Sequence, residues 1–354
     1  MNGTHALVEL QRSPRACSLL DCRRQLLKRK IHSTDDPWAC GNRRDGAGWG
    51  GENPSVMFLF PGDVVRPRRV DEHFAGEAEA ARAAGCPVAL VDHDAAARGE
   101  VADAVARVPG GATAVYRGWM LSSRRYAELD SALAGRGVRL HTDGERYRRA
   151  HELPGWYDAL SAFTPASRWT TGTDRRDFEA VRAGLGSGPA VLRDYSKSMK
   201  HYWLEAAYIP DLADAVQAWA VAERMVQLRG DDLAGGFVVR RFEEFTGAEA
   251  RSWWIDGVRR LVTAHPDTPD ELPPPDLDLT GLQPAIAALA LPFVTVDLAR
   301  RADGTWRVIE LGDGQVSDRP ASTPPADLIN ALIQNFPEGT VSGNSPSITE
   351  AQPR

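Results

Sequence analysis

The stretch Phe293 to Ser317, FVTVDLARRADGTWRVIELGDGQVS, restricts the fold of this chain more than any other. Val294, Val296 and Leu298 alternate with Thr295, Asp297 and Ala299, the period of two that marks a strand with one buried face. Ala302-Asp303-Gly304 follows as a turn, because Asp-Gly tolerates the positive backbone angles a short hairpin demands. The return strand, Trp306 to Leu311, ends on Glu310 and runs into Gly312-Asp313-Gly314. Such a hairpin can bring Asp297 and Glu310 onto one face as near neighbours. Two carboxylates that close repel unless a cation sits between them. Mg²⁺ on nucleotide phosphates suits the pair, since it takes a few carboxylate oxygens and completes its shell from phosphate and water. A solvated hairpin with ordinary surface acids fits the same residues, so both readings stay open at this level.

The chain is long enough, at 354 residues, for two or three lobes around a large core, and 43% hydrophobic with 25% charged is ordinary soluble composition. No apolar run approaches the ~18 residues of a membrane span, and the N-terminus lacks an apolar core with a small-residue cleavage site. The cytoplasm is the expected location, with no membrane partner. A formal charge of −6 gives no electrostatic footprint for nucleic acid. The four cysteines contain no CxxC pair, which argues against a zinc site built from Cys17, Cys22, His32 and Cys40.

Residues 1–54 differ from the rest: nine Lys/Arg against six Asp/Glu give a local +3, and the segment ends in the Gly-rich GNRRDGAGWGGENP. Disorder is expected there, with Met57 as the biological start; peptides from before Met57 in the native protein would overturn that start. From Val56 the texture changes. VMFLFP reads as a buried strand, Glu77–Ala84 as a helix, Pro87–Val91 as a strand, Ala95–Arg107 as a helix, Thr113–Tyr116 as a strand, Ser122–Ala134 as a helix and Val138–Leu140 as a strand. Alternating units of this size imply a small parallel sheet covered by helices, a lobe over 55–150. Arg117 and Trp119 follow the third strand at the edge where open α/β sheets bind ligands, and are the candidate substrate contacts. ERYRRAH, 145–151, reads as a solvated basic helix face, and Pro154–Arg168 as a bridge to the next lobe.

The second lobe, 151–336, centres on PAVLRDYSKSMKHYW: a buried strand Ala190–Leu192, then Arg193, Lys197 and Lys200 in one loop. Cations directly after a buried strand suit a loop over polyphosphate, and an exposed basic loop is the competing reading. Asp211–Gln227 reads as a helix and Phe237–Phe242 as a strand. Short strands at Ser252–Ile255 and Val258–Thr263 flank Asp256-Gly257, with antiparallel character; a short helix at Leu282–Leu289 and another at Ala326–Gln334 complete the lobe. The tail after Phe336 reads as disordered.

Taken together, residues 55–336 resemble the ATP-grasp superfamily, in its clade of short bacterial and phage members where a site arginine is lost and a lysine elsewhere replaces it. The segments RGWMLSSRRYAEL, HELPGWY, VLRDYSKSMKHYW, GGFVVRRFEEF and the opening hairpin carry the likeness. The resemblance implies an α/β and α+β chain: an N-terminal small parallel-sheet lobe, called pre-ATP-grasp, and two α+β subdomains that hold ATP between them. Family members close the site with R-x-D and E-x-N. Here these read Thr295-Val296-Asp297 and Glu310-Leu311-Gly312, so both acids match while the arginine and asparagine do not. By this likeness Asp297 and Glu310 hold Mg²⁺, with Asp313 as a third contact, and Lys197 or Lys200 replaces the arginine. Arg193 falls at the first phosphate-contacting lysine. Arg241 and Phe242 offer backbone groups to adenine, Glu249, in competition with Glu243 and Glu244, grips ribose, and Arg251 faces the phosphates. The implied activity is an ADP-forming carboxylate–amine or carboxylate–thiol ligase working through an acyl phosphate, on amino acids or peptides. A Mg-ATP phosphotransferase, a nucleotide-binding module without turnover, and a peptide-reading accessory protein are the rivals.

Overall fold

The computed structural model describes residues 56–275 and 277–336. The expected disorder of the two ends, the segment before Met57 and the cysteines of the zinc reading lie outside the described residues.

Three four-stranded sheets organise the described residues. The first is parallel, ordered β2-β1-β3-β4, from β1 (Val56–Pro61), β2 (Val88–Val91), β3 (Thr113–Tyr116) and β4 (Arg139–Leu140). Its strands are short apolar runs because helices cover both faces. These include α1 (Ala75–Ala83), α2 (His93–Arg98), α3 (Val101–Ala104) and α4 (Ser123–Ala134). The single helix expected over 95–107 is two, because Gly99 takes φ 87° and caps α2 in the left-handed conformation. Ser122 caps α4 through its side chain. Two further helices follow, α5 (Gly144–His151) and α6 (Leu153–Leu160), so much of the expected bridge is helical.

The second sheet is antiparallel, ordered β5-β8-β6-β7, from β5 (Ser167–Trp169), β6 (Ala190–Arg193), β7 (Tyr208–Ile209) and β8 (Val238–Arg241). Phe178 of α7 (Arg175–Ala183) and Met225 of α8 (Ala215–Arg229) pack with Leu192, Phe237 and Val239 to form its core. The third sheet is also antiparallel, ordered β10-β9-β11-β12, from β9 (Phe245–Ile255), β10 (Val258–Ala264), β11 (Phe293–Arg301) and β12 (Trp306–Asp313). Asp256 and Gly257, at φ 48° and 75°, close the two-residue turn between β9 and β10. Strand β9 runs seven residues earlier than expected, because Phe245 pairs with Arg301 and Thr246 with Arg300. Glu249 and Arg251 therefore stand on a strand and not in a loop. The helices α9 (Gln283–Ala288) and α10 (Pro325–Ile333) complete the described residues.

One irregularity sets the face of the site. Val308 and Leu311, three residues apart on β12, both enter the core with Val294, Val296 and Leu298. A regular strand cannot point both the same way. The pairing shifts between Asp297 and Leu298, whose partners are Glu310 and Val308, leaving Ile309 as a bulge. Beyond the bulge Leu311 and Asp313 face the core, and Glu310 and Gly312 face away from it.

Charged struts join the layers. Arg240 donates to the carbonyls of Ile309 (2.5 Å) and Val308 (3.3 Å) and to Thr164 Oγ1, linking the second sheet to β12. Arg307 forks onto Glu243 at 3.0 Å from both nitrogens.

Candidate active site

Asp297 sits mid-strand on β11 between two charged cross-strand partners, Arg251 on β9 and Glu310 on β12. Arg251 holds it bidentately, Nε to Oδ1 at 2.7 Å and Nη2 to Oδ2 at 2.8 Å. Burial alone would raise the Asp297 pKa, but Arg251 and His265 hold its carboxyl well below the usual range. Burial likewise opposes ionisation of Glu310, and Arg193 and Lys197 outweigh it, so this pKa is also lowered. Both acids are thus ionised near neutral pH. A carboxylate pair offers about eight lone-pair sites, so Arg251 leaves oxygen valence free for a cation.

The opposing wall is the loop after β6. Arg193 Nη2 lies 3.7 Å from Glu310 Oε1 and donates to the Ser196 carbonyl at 2.9 Å. The Lys197 pKa is lowered by burial, with Arg193 and Lys200 adding to it against the pull of Glu310. Exposed Lys200 places Nζ 3.8 Å from Asp267. Buried Asp194, which no sequence motif singles out, shapes this loop. Its Oδ1 accepts from Ser196 N (2.7 Å) and Lys197 N (2.5 Å), while Oδ2 accepts from Arg229 Nε and Nη2 at 3.0 and 2.7 Å. Asp-driven turns of this kind are common, and Arg229, 35 residues away, is what no local pattern indicates.

Several expected residues stand elsewhere. Asp313 shares the core face with Leu311 and does not join Asp297 and Glu310. Its Oδ1 accepts from Gln315 N at 2.9 Å, its Oδ2 has no hydrogen-bond partner among the described residues, and burial pushes its pKa up to about 7. Gly312, at the position of the family asparagine, does share the cleft face, but has no side chain. Arg117 is fully buried and is not a surface group. It forks onto Glu77 at 2.8 and 3.0 Å and donates to the carbonyls of Gly314, Gln315 and Ser317. Trp119 is buried too, its Nε1 on Asp71 at 3.1 Å. The backbone N–H groups of Arg241 and Phe242 are spent inside the sheet, on the Ala166 and Pro189 carbonyls at 2.8 and 3.0 Å. Glu243 is held by Arg307.

Glu249 shares the Arg251 face of β9, and one donor atom each from Glu249, His265 and Asp297 lie within 4.8 Å of one another. His265 Nδ1 accepts from Asp267 N at 3.2 Å, and Nε2 lies 3.3 Å from Arg251 Nη2 and 3.5 Å from Asp297 Oδ2. His265 thus stands against both members of the Asp297–Arg251 pair, and the sequence signals neither it nor Asp267. His151, read as part of a solvated face, is buried at the end of α5; burial and then Lys197 push its pKa down to about 4.

Two expected outcomes follow from these placements. Asp313→Asn removes a buried acid whose folded pKa lies near 7, against about 4 in an unfolded chain. The stability it gives is full below pH 4 and is lost as pH rises to 7, because the unfolded chain releases its proton first. Thermal denaturation from pH 4 to 8 is expected to show a shallower decline for Asp313→Asn, with a higher melting temperature than the unaltered chain at pH 8. At Gly312 an added Cβ would meet Thr295 Oγ1 at 3.5 Å and Ser317 Oγ at 3.6 Å, ordinary contact distances. Gly312→Asn is therefore expected to fold normally and to strengthen Mg²⁺ binding three- to tenfold by about 1 kcal/mol, read by calorimetry.

Residues 182–332 match the family model for the ATP-grasp domain of the arginine-to-lysine clade, family 3. No curated protein matches by sequence. Among solved structures, a RimK domain ATP-grasp protein from Sphaerobacter thermophilus DSM 20745 aligns at TM-score 0.53 and 17% identity, over 79% of this chain and 98% of that one. The D-cycloserine synthetase DcsG aligns at 0.53 and 19%, over 79% and 99%. N5-carboxyaminoimidazole synthetase from Staphylococcus aureus aligns at 0.50 and 11%, over 81% and 79%. These likenesses are of fold. The family match covers the loop after β6, all of β11 and β12, and both acids: residues 182–332 match an ATP-grasp domain of this clade, and the chain has an ATP-grasp fold.

Proposed function

We propose that the chain is an ADP-forming ligase that joins a carboxylate to an amine through an acyl phosphate. The observation that carries the reading is the ionised pair Asp297 and Glu310, side by side on β11 and β12 and faced by Arg193, Lys197 and Lys200 from the other sheet. Oxygen donors without sulfur suit a hard cation, so Asp297 and Glu310 would hold Mg²⁺. Held there, the ion would supply positive charge against the phosphates of ATP. Residues 151–336 would be the ligase domain and 55–150 the preceding lobe, working in the cytoplasm on small molecules or peptides.

The residues divide the work. Arg193 and Lys197, fixed by the Asp194 turn, bind phosphate oxygens and gather charge as the γ-phosphoryl group transfers. A substrate carboxylate oxygen bonds to the γ-phosphorus as the bond to ADP breaks. Arg251, anchored on Asp297 and on the Asp318 carbonyl at 2.9 Å, keeps that carboxylate aligned with Glu310. The amine then displaces phosphate from the acyl carbon, and no protein nucleophile is required.

The test incubates the protein with Mg-ATP and pooled amino acids and short peptides, reading nucleotides and new masses together. ADP with a mass equal to two inputs minus water is the expected result. A mass gain of one phosphoryl group would make it a phosphotransferase, and AMP with pyrophosphate would exclude the acyl phosphate.

A further inference from the structure

Behind Arg251, away from the phosphate-facing loop, lies a histidine that the nucleotide chemistry leaves unused. His73 Nε2 is 3.0 Å from Asp318 Oδ1. The Asp318 carbonyl accepts from Arg251 Nη1 at 2.9 Å, and Arg251 in turn grips Asp297. His73 is thus linked to the candidate centre through two residues. Its ring packs against Trp119 and Phe74, each 4.7 Å away between ring centroids, and Asp71 Oδ1 accepts its backbone N–H at 3.0 Å. Trp119 is itself tied to Asp71 through Nε1. The side chain nevertheless remains 38% exposed, and Asp318 26%. A packed ring, an aspartate on one nitrogen and solvent access together describe a histidine prepared for proton transfer, by the same logic as an aspartate that fixes the tautomer of a catalytic histidine.

We propose that His73, oriented by Asp318, is the general base that takes the proton from the amine attacking the activated carboxyl. The proposal rests on the ligase reading above. An amino group at neutral pH is largely an ammonium ion and has no lone pair to attack with. In the step, the ammonium passes one proton to His73 Nδ1, since Asp318 holds Nε2–H, which frees the nitrogen lone pair. That lone pair forms the bond to the acyl carbon, the bond from that carbon to the phosphate oxygen breaks, and its electrons leave with phosphate, which takes the second nitrogen proton as it departs. Three acids face the ring: Asp318 from the loop after β12, Asp71 from its own loop, and Glu77 from α1, which is engaged by Arg117. Burial works against a charged ring and these acids outweigh it, raising the His73 pKa above the ordinary value. The partly exposed Asp318 beside the ring favours an incoming ammonium over an anionic acceptor.

The experiment compares the unaltered full chain with His73→Gln and Asp318→Asn, using Mg-ATP and the pooled amino acids, with and without hydroxylamine. Hydroxylamine is neutral near pH 7 and captures the acyl phosphate as a hydroxamate without needing a base. The expected result for His73→Gln is a 10²- to 10⁴-fold loss of amino-acid coupling at pH 7, against a loss of less than tenfold in hydroxamate. The coupling deficit should shrink as pH rises toward the pKa of the amine, and Asp318→Asn should show the same pattern more weakly. Coupling at the unaltered rate in His73→Gln, or equal losses of coupling and hydroxamate, would overturn the base while leaving the ligase intact. Neither hydroxamate nor ADP from the unaltered chain would overturn the ligase reading and the base with it.

Discussion

Glu310→Gln is expected to lower turnover on the order of 10³-fold with little change in melting temperature, and Asp297→Asn to do the same with some loss of stability. The two differ because of what each carboxylate touches. Glu310 is about one third exposed and meets Arg193 at 3.7 Å, so an isosteric amide there removes charge from the metal position and little else. Asp297 is nearly buried and carries a bidentate Arg251, and the amide leaves that guanidinium with one acceptor in place of two. Arg251 keeps the Asp318 carbonyl, which limits the penalty. Steady-state kinetics with thermal denaturation separates these effects. Undiminished turnover in both variants would remove the metal assignment.

Arg117→Met is expected to destabilise the fold by about 3–5 kcal/mol, since breaking one side of a buried ion pair strands the other charge. In a chain of this size that corresponds to a fall in melting temperature on the order of 10 °C. Arg117 is 0% exposed, and its partner Glu77 lies 40 residues away on α1. The same guanidinium holds the carbonyls of Gly314, Gln315 and Ser317, so it sets the loop that presents Asp318. The double variant Arg117→Met with Glu77→Met is expected to recover part of the loss, because it removes the stranded carboxylate as well. Measured by urea denaturation, additive losses in the double variant would contradict the paired-charge account.

The fold and the centre of the site were legible where the chain states them locally. Thr113–Tyr116 is a run of alternating and β-branched residues that needs no distant help, and Ser122 announces α4 as its cap. The hairpin carries its own turn, but counting from it pairs Leu298 with Val308 and would set Asp297 opposite Ile309, so the pairing of Asp297 with Glu310 depends on the bulge. Counting fails at that point. The bulge at Ile309 is fixed by the core's demand for both Val308 and Leu311, and that demand comes from residues on other elements, so the face of Asp313 was hidden. The place of Arg251 beside Asp297 was hidden for a related reason: residues 245–251, FTGAEAR, carry no clear period of two and become strand because β11 lies beside them. The charge nearest Asp297 is accordingly this arginine from the neighbouring strand, while Lys197 and Lys200 approach from the other wall. Arg117 shows the opposite limit. Its place after β3 marks the sheet edge where ligands bind, yet whether an arginine there faces solvent depends on Glu77 and on the loop after β12.

Calorimetric titration of the non-hydrolysable analogue AMPPNP into the protein, with and without Mg²⁺, tests the central claim most directly. The account requires one site, occupied far more tightly with Mg²⁺ than without it, and a Mg²⁺ advantage that is lost in Glu310→Gln. Equal affinity with and without Mg²⁺, or an unaltered Mg²⁺ advantage in Glu310→Gln, would contradict a metal-nucleotide centre at Asp297 and Glu310.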